Sequence, residues 1–223
     1  MKFSNTYIFV FTTIVVLICA TILTLASVGL QPFQRANRQK ERMTQILTAS
    51  GYKSVEDPIQ FYNTVAEESE VEVLINGKKE QRQVIKVKLR DNSYCYVFSL
   101  KGKGLWGPIW GYIAIREDGN TVQGAVFDHK SETPGLGDEI NTERFYSQFE
   151  GKQLFDQLGV FQSIKVVKGG VANSNVNPNH GVDAISGGTI TSQGLETMIA
   201  KELEPYIPLL IQINKKERSL TEK

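Results

Sequence analysis

Three short stretches of this sequence gather residue types able to do chemistry. Asp183-Ala-Ile-Ser-Gly-Gly-Thr-Ile-Thr-Ser192 sets Ser186, Thr189, Thr191 and Ser192 beside Gly187 and Gly188, at the approach to a helix-forming run. A helix start offers free backbone N–H groups and a positive dipole end, and glycine puts no side chain in a ligand's way. The stretch is therefore a natural phosphate seat. N-capping alone would need only one of the four hydroxyls. No Gly-Lys-Ser/Thr follows, so this is not a P-loop, and a Ser–His–Asp set has no nucleophile-elbow sequence to support it. Asp128-His-Lys-Ser-Glu-Thr-Pro-Gly-Leu-Gly137 follows a predicted strand and mixes charged, hydroxyl and turn residues, as site-building loops do and as a solvated connection also does. His129 has the chemistry of an acid/base or a metal ligand. With His180 as the only other histidine, a metal site is disfavoured. Gly102-Lys-Gly-Leu-Trp-Gly-Pro-Ile-Trp-Gly-Tyr112 holds both tryptophans, Trp106 and Trp110, among four glycines. That composition suits stacking on a ring-shaped ligand, and it equally suits a tight loop with two aromatic core residues.

The elements that must position these stretches emerge from periodicity and turn chemistry. Val71–Ile75 and Val84–Leu89 around Asn76-Gly77 predict a hairpin, and further strands are expected at Tyr94–Leu100, Ile109–Arg116 and Val122–Asp128. Helices are expected at Gln34–Ser50, stopped by Gly51, at Glu143–Phe149 and at Gln193–Leu203, with Pro205 and Pro208 breaking the chain beyond. Ile164–Lys168 is expected as a strand, Val171–Val182 as a loop, and the charged tail from Lys215 as frayed. The sum is an α+β fold: a mixed, mainly antiparallel sheet with flanking helices in one domain of about 185 residues, enough for a proper core.

Ahead of that domain stands a different kind of sequence. No charge occurs between Lys2 and Arg35, and 18 of the 25 residues from Thr6 to Leu30 are hydrophobic. As a helix this stretch would be about 37 Å long, against about 30 Å of bilayer hydrocarbon, so a single transmembrane helix is expected. It is too long for a cleaved signal peptide. The organisation expected is an anchor over 1–33, a helical linker region over 34–70, a ligand-binding domain over 71–214 and a charged tail over 215–223. Across the 223 residues, 25 Lys+Arg face 24 Asp+Glu, which argues against a nucleic-acid partner. Cys19 and Cys95 are too few and too far apart in kind for a disulfide framework, and Cys95 is expected as a small core residue.

These residues also carry a resemblance. Asp183-Ala-Ile-Ser-Gly-Gly-Thr189 resembles the flavinylation motif of FMN-binding domains, Asp-x-x-Ser/Thr-Gly-Ala-Thr, with Gly188 standing where alanine is usual. The tryptophan-rich stretch, Glu132-Thr-Pro-Gly-Leu-Gly137, and the N-terminal span with Leu30-Gln-Pro-Phe-Gln34 match as well. Together they resemble the C-subunit family of sodium-translocating NADH:quinone oxidoreductases along nearly the whole chain. The flavin-bearing G-type subunit of the related ferredoxin:NAD oxidoreductase has a similar motif, but the Gly-Leu-Trp-Gly-Pro-Ile-Trp-Gly run favours the sodium pump. An anchored, non-redox module holding a sugar or other ring on Trp106 and Trp110 is the alternative of a different class.

The resemblance implies FMN joined to Thr189 by a phosphodiester, placed by a flavin transferase that uses FAD. It implies recognition and backbone contacts at Ser186, Gly187 and Gly188, with Asp183 as the motif's acidic anchor. Glu132, Thr133, Gly135, Leu136 and Trp106 would lie against the flavin ring, and Lys130 and Lys168 are candidates to stabilise an anionic flavin or phosphate. Thr191 and Ser192 are expected to cap the helix. The implied role is electron transfer, without NADH binding or quinone reduction by this subunit, inside a bacterial inner-membrane complex that oxidises NADH, reduces quinone and exports sodium; the absence of a dinucleotide fingerprint agrees. The resemblance places the soluble domain on the periplasmic side. Arg35, Arg38, Lys40 and Arg42 just after the span favour the cytoplasm by the positive-inside rule. That rule is statistical and partner helices override it, so the periplasmic side is expected.

Overall fold

The structure is a computed structural model describing residues 4–75 and 77–221. The chain divides into two compact units, 1–42 and 43–223. Helix α1 (Asn5–Ala49) begins in the first, where its apolar run is long enough to cross a membrane and its large hydrophobic side chains are exposed. The hydroxyls of Thr12, Thr13, Thr21 and Thr24 each donate to the carbonyl four residues back, so these side chains need no water partner on the apolar run.

In the second unit, the last turns of α1 bury Ile46, Leu47 and Ala49. As expected, Gly51 stops the helix: its φ of 91° lets Tyr52 N–H reach back to the Leu47 carbonyl at 2.9 Å. Asp57 then caps α2 (Pro58–Val65), its Oδ1 accepting from the N–H groups of Ile59 and Gln60, with Pro58 in the first turn.

Five strands come next in simple antiparallel order: β1 (Ala66–Ile75), β2 (Lys78–Lys88), β3 (Tyr94–Lys103), β4 (Pro108–Arg116) and β5 (Val122–His129). The first hairpin is longer than expected, because Ala66–Glu70 pair with Gln83–Val87 despite their charge. Asn76 of the expected turn lies outside the described residues, and Gly77 takes φ 76°. Both faces of the sheet are buried across β3 to β5, whereas β1 and the first half of β2 are largely exposed. Along β3, Phe98 and Leu100 point into one core with Ile109, Ile113, Phe127 and Leu195, and Cys95 and Val97 point into the other with Ile46, Leu47, Ile85 and Ala114. Alternation into two cores is what a sheet covered on both faces requires.

The rest of the chain covers the first of those faces. A 3₁₀ turn (Gly137–Asn141), the short helix α3 (Glu143–Tyr146) and a second 3₁₀ turn (Ser147–Phe149) replace the single helix expected over Glu143–Phe149. β6 (Lys165–Val167) pairs in parallel with β7 (Gly181–Asp183), so the expected loop over 171–182 ends in a strand. α4 (Thr189–Leu203) starts four residues before the expected Gln193, which places Thr189 itself in the first turn. α5 (Ile207–Thr221) corrects two further expectations. Pro208 sits in its first turn, where no N–H is needed, and the tail from Lys215 continues as helix to Thr221. Burial of Leu210 and a 2.5 Å hydrogen bond from Asn214 Nδ2 to the Asp118 carbonyl pin the helix, and propagation beyond a fixed turn is cheap. Glu222 and Lys223 of the expected tail lie outside the described residues.

Candidate functional site

The site grows from a turn. Gly188 N–H donates to the Ile185 carbonyl at 3.1 Å, and Gly187 supplies the required positive φ of 76°. Gly188 is the N-cap of α4 and offers no side chain to its first turn. The N–H groups of that turn thus keep their anion-binding capacity. Thr189 opens the helix, with Ser186, Gly187 and Gly188 before it. Asp183 stabilises the approach: its Oδ1 accepts from Val171 N–H at 2.7 Å, and its own N–H donates to Gln148 Oε1 at 2.9 Å.

Gly188 has a local reason to lack a side chain. A Cβ there would stand 2.9 Å from Ile185 Cγ2, 3.1 Å from Ile185 Cβ and 3.3 Å from the Leu136 carbonyl. The β-branched residue three positions earlier occupies the space an alanine methyl would need.

The neighbouring hydroxyls are not caps. Ser192 Oγ accepts from Ile185 N–H at 3.2 Å, closing the turn from behind, and Thr191 Oγ1 donates to Glu132 Oε2 at 2.6 Å. Both are buried. The capping expected of them is replaced by cross-links to other segments, because their side chains are turned into the domain and not toward the helix start.

The second stretch arrives by its own turn. Leu136 N–H donates to the Thr133 carbonyl at 3.1 Å across Pro134 and Gly135, whose φ is 73°. Pro followed by Gly is the signature of a type II turn. It leaves Thr133, Gly135 and Leu136 exposed, with Leu136 Cδ2 lying over Gly187. Glu132 differs. The resemblance sets it against a flavin ring, yet the residue is buried, and its carboxylate binds Thr191 and, at 2.9 Å, the N–H of Trp106. Burial pushes the Glu132 carboxyl up, and hydrogen bonds from Thr191, Trp106 and Gly107 with the nearby His129 outweigh it, so the group sits below the ordinary glutamate value.

The third stretch is the β3–β4 hairpin, whose four-residue loop Gly104–Gly107 carries Trp106 at 66% exposure. Trp110 lies instead on β4, half-buried. α4 lies so close to this hairpin that Gly194 meets the Lys103 carbonyl. Leu105, Trp106, Leu136 and Ile190 all stay exposed on the segments gathered here, an apolar surface beside a polar helix start. An amphiphilic ligand with a phosphate and a flat ring fits such a surface.

The two histidines are kept apart. His129 Nδ1 accepts from Glu132 N–H at 3.2 Å, and the buried His180 is bonded to the Gln153 carbonyl. Lys130 and Lys168 stand on separate loops. Sequence reasoning missed Arg144 and Gln148, which line a cleft of about 670 Å³ with Gly135, Asp183, Ile185 and Ser186. They come from the α3 region, far from the motif in sequence, and no local pattern marks them.

Known proteins resemble this chain in sequence and fold. The FMN-binding domain family matches residues 104–204, which take in two of the three stretches whole and the tryptophan-rich one from Gly104 onward. The C subunit of the Na(+)-translocating NADH-quinone reductase of Neisseria meningitidis serogroup B is 32% identical, over 94% of this chain and 93% of the relative. That of Vibrio vulnificus is 30% identical, over 81% and 83%. The crystal structure of the same subunit from Parabacteroides distasonis superposes with a TM-score of 0.71 at 35% identity, covering 81% of this chain and 96% of that one. The chain therefore belongs to the C-subunit family of Na(+)-translocating NADH-quinone reductases, built as a long apolar helix and an FMN-binding α+β domain.

Proposed function

We propose that this chain is the FMN-carrying electron-transfer subunit of a membrane respiratory complex that oxidises NADH, reduces quinone and exports sodium, with FMN held covalently on Thr189. The observation that carries the reading is Thr189 itself: a hydroxyl opening a helix whose first turn no side chain caps. Attachment needs a flavin transferase and FAD. Thr189 Oγ displaces AMP from the FAD pyrophosphate, so one P–O bond forms to Thr189, one breaks to AMP, and the hydroxyl proton leaves to a base on the transferase.

Held there, FMN supplies one-electron redox chemistry. This chain's residues supply placement. The free N–H groups of the first turn of α4, which follows Gly187 and Gly188, and the helix dipole take the phosphate's negative charge. Thr133, Gly135, Leu136 and Trp106 form the surface for the ring, and Asp183 keeps the turn before Thr189 in shape through Val171. α1 anchors the domain in the inner membrane beside the other subunits, with the domain on the periplasmic face. A covalent tether suits that face, where little free FMN is available to replace a lost one.

Denaturing-gel fluorescence under ultraviolet light, on full-length chain co-expressed with a flavin transferase, tests the reading. The native chain gives a fluorescent band and Thr189→Ala gives none. A dark native band, with a labelled control protein in the same cells, removes the flavin reading; a fluorescent Thr189→Ala removes the assigned residue.

A further inference from the structure

Glu132 is a buried carboxylate without a Lys or Arg partner among the described residues, and a charge is placed this way only where several donors hold it. Its Oε1 accepts from Trp106 N–H at 2.9 Å, the N–H of Gly107 is directed at the same carboxylate, and its Oε2 accepts from Thr191 Oγ1 at 2.6 Å. Its own N–H donates to His129 Nδ1. The socket around it is walled by glycine. A Cβ on Gly104 would stand 2.5 Å from Oε1, and one on Gly137 would stand 2.5 Å from Oε2 and 2.6 Å from Thr191 Oγ1. Three segments far apart in sequence thus meet on one carboxylate: the tryptophan loop, the Pro-Gly turn and the first turn of α4. All three carry exposed apolar residues of the site, and the third also carries Thr189.

We infer that Glu132 is a positioning residue rather than a ring contact: its carboxylate fastens the Trp106 loop to the first turn of α4, holding the ring surface in register with the attachment point. The inference rests on the flavin reading of the site. It differs from a ring contact in one respect that can be measured, since the clasp exists before any flavin is attached. Glutamine keeps the clasp, because Oε1 accepts from the two loop N–H groups and Nε2 donates to the Thr191 hydroxyl. Alanine removes both arms. Thr191→Val removes only the arm to the helix.

The test uses full-length chain in detergent, without flavin and then after co-expression with a transferase. In flavin-free protein, Glu132→Ala speeds amide exchange at Trp106 and Gly107 at least about tenfold, with central β3 and β4 amides unchanged as the control for folding. Glu132→Gln stays within about threefold of the native chain. In flavin-loaded protein, Glu132→Ala and Thr191→Val carry native amounts of covalent flavin, but their visible circular dichroism per flavin falls to half or less, and Glu132→Gln restores it. Unchanged exchange in Glu132→Ala overturns the inference, as does unchanged dichroism in Thr191→Val, which decides alone if Glu132→Ala does not fold. A native chain that takes no flavin beside a labelled control fails the functional reading and the inference with it. A labelled native chain with unchanged exchange in Glu132→Ala fails the inference only.

Discussion

Glu132 and Thr191 are 59 residues apart. Their contact sets a pH dependence with a definite sign. The Glu132 carboxyl lies below its ordinary value of 4.5 in the folded chain, so it binds fewer protons folded than unfolded. Its contribution is whole above 4.5 and is lost as pH falls through the lowered folded value. In urea titrations, Glu132→Gln should be less stable than the native chain by about 0.5 kcal/mol near neutrality, because the amide keeps both arms of the clasp and loses only the charge that strengthens them. The gap should close in the acid range below 4.5. A gap constant with pH would mean that the charge plays no part. This pairing also marks the limit of sequence reading at the residue scale. The turn before Thr189 is legible because its determinants, Gly187, Gly188 and the helix behind them, are contiguous. The partner of Thr191 is set by how the chain folds back, and a hydroxyl near a helix start reads locally as a cap whether or not it is one.

At the scale of elements, the decisive contact is α4 against the β3–β4 hairpin. Gly102 and Gly194 make it possible: a Cβ on Gly102 would stand 2.7 Å from Met198 Cβ, and one on Gly194 would strike the Lys103 carbonyl. Helix propensity alone says that Gly194→Ala should stabilise the chain by about 1 kcal/mol. Backbone carbonyls do not yield as side chains do, so overpacking of about 1–3 kcal/mol wins and the variant should be destabilised. A chemical denaturation midpoint at or above the native one would show that α4 has room to move. The strands are legible from their alternation, and Gly51 and the Pro-Gly turn from backbone chemistry. The start of α4 is not, because Thr-Ile-Thr-Ser carries weak helix propensity and becomes helical through the burial of Thr191, Ser192 and Leu195. The extension of β1 over Ala66–Glu70 is hidden in the same way: charges on an edge strand look like a loop until the partner strand is known.

For the whole molecule, the boundary of the folding unit lies inside α1 and not at its apolar end. Ile46 and Leu47 are 0% and 1% exposed and belong to the second core. A chain beginning at Met43 should melt cooperatively as a soluble protein. One beginning at Gly51 loses those side chains, at about 2–5 kcal/mol for each large one, and should melt broadly or not fold. Equal melting profiles would place the second core outside the stability of the unit. The side of the membrane can be read from Leu158, which is 89% exposed at a loop tip. In intact cells, Leu158→Cys should react with a membrane-impermeant maleimide if the domain is periplasmic. Labelling only after lysis would favour the cytoplasmic side that the basic cluster after the span suggests.

That experiment is clean because of Cys95. The residue is fully buried, and burial pushes its thiol up to about 11, so at physiological pH it is protonated and out of reach. Cys19 lies in the apolar helix. The folded domain needs no oxidase to mature and offers no thiol to an oxidant. It is indifferent to the redox climate on either side of a membrane, and the one redox-active group it is built to present is the one it must be given.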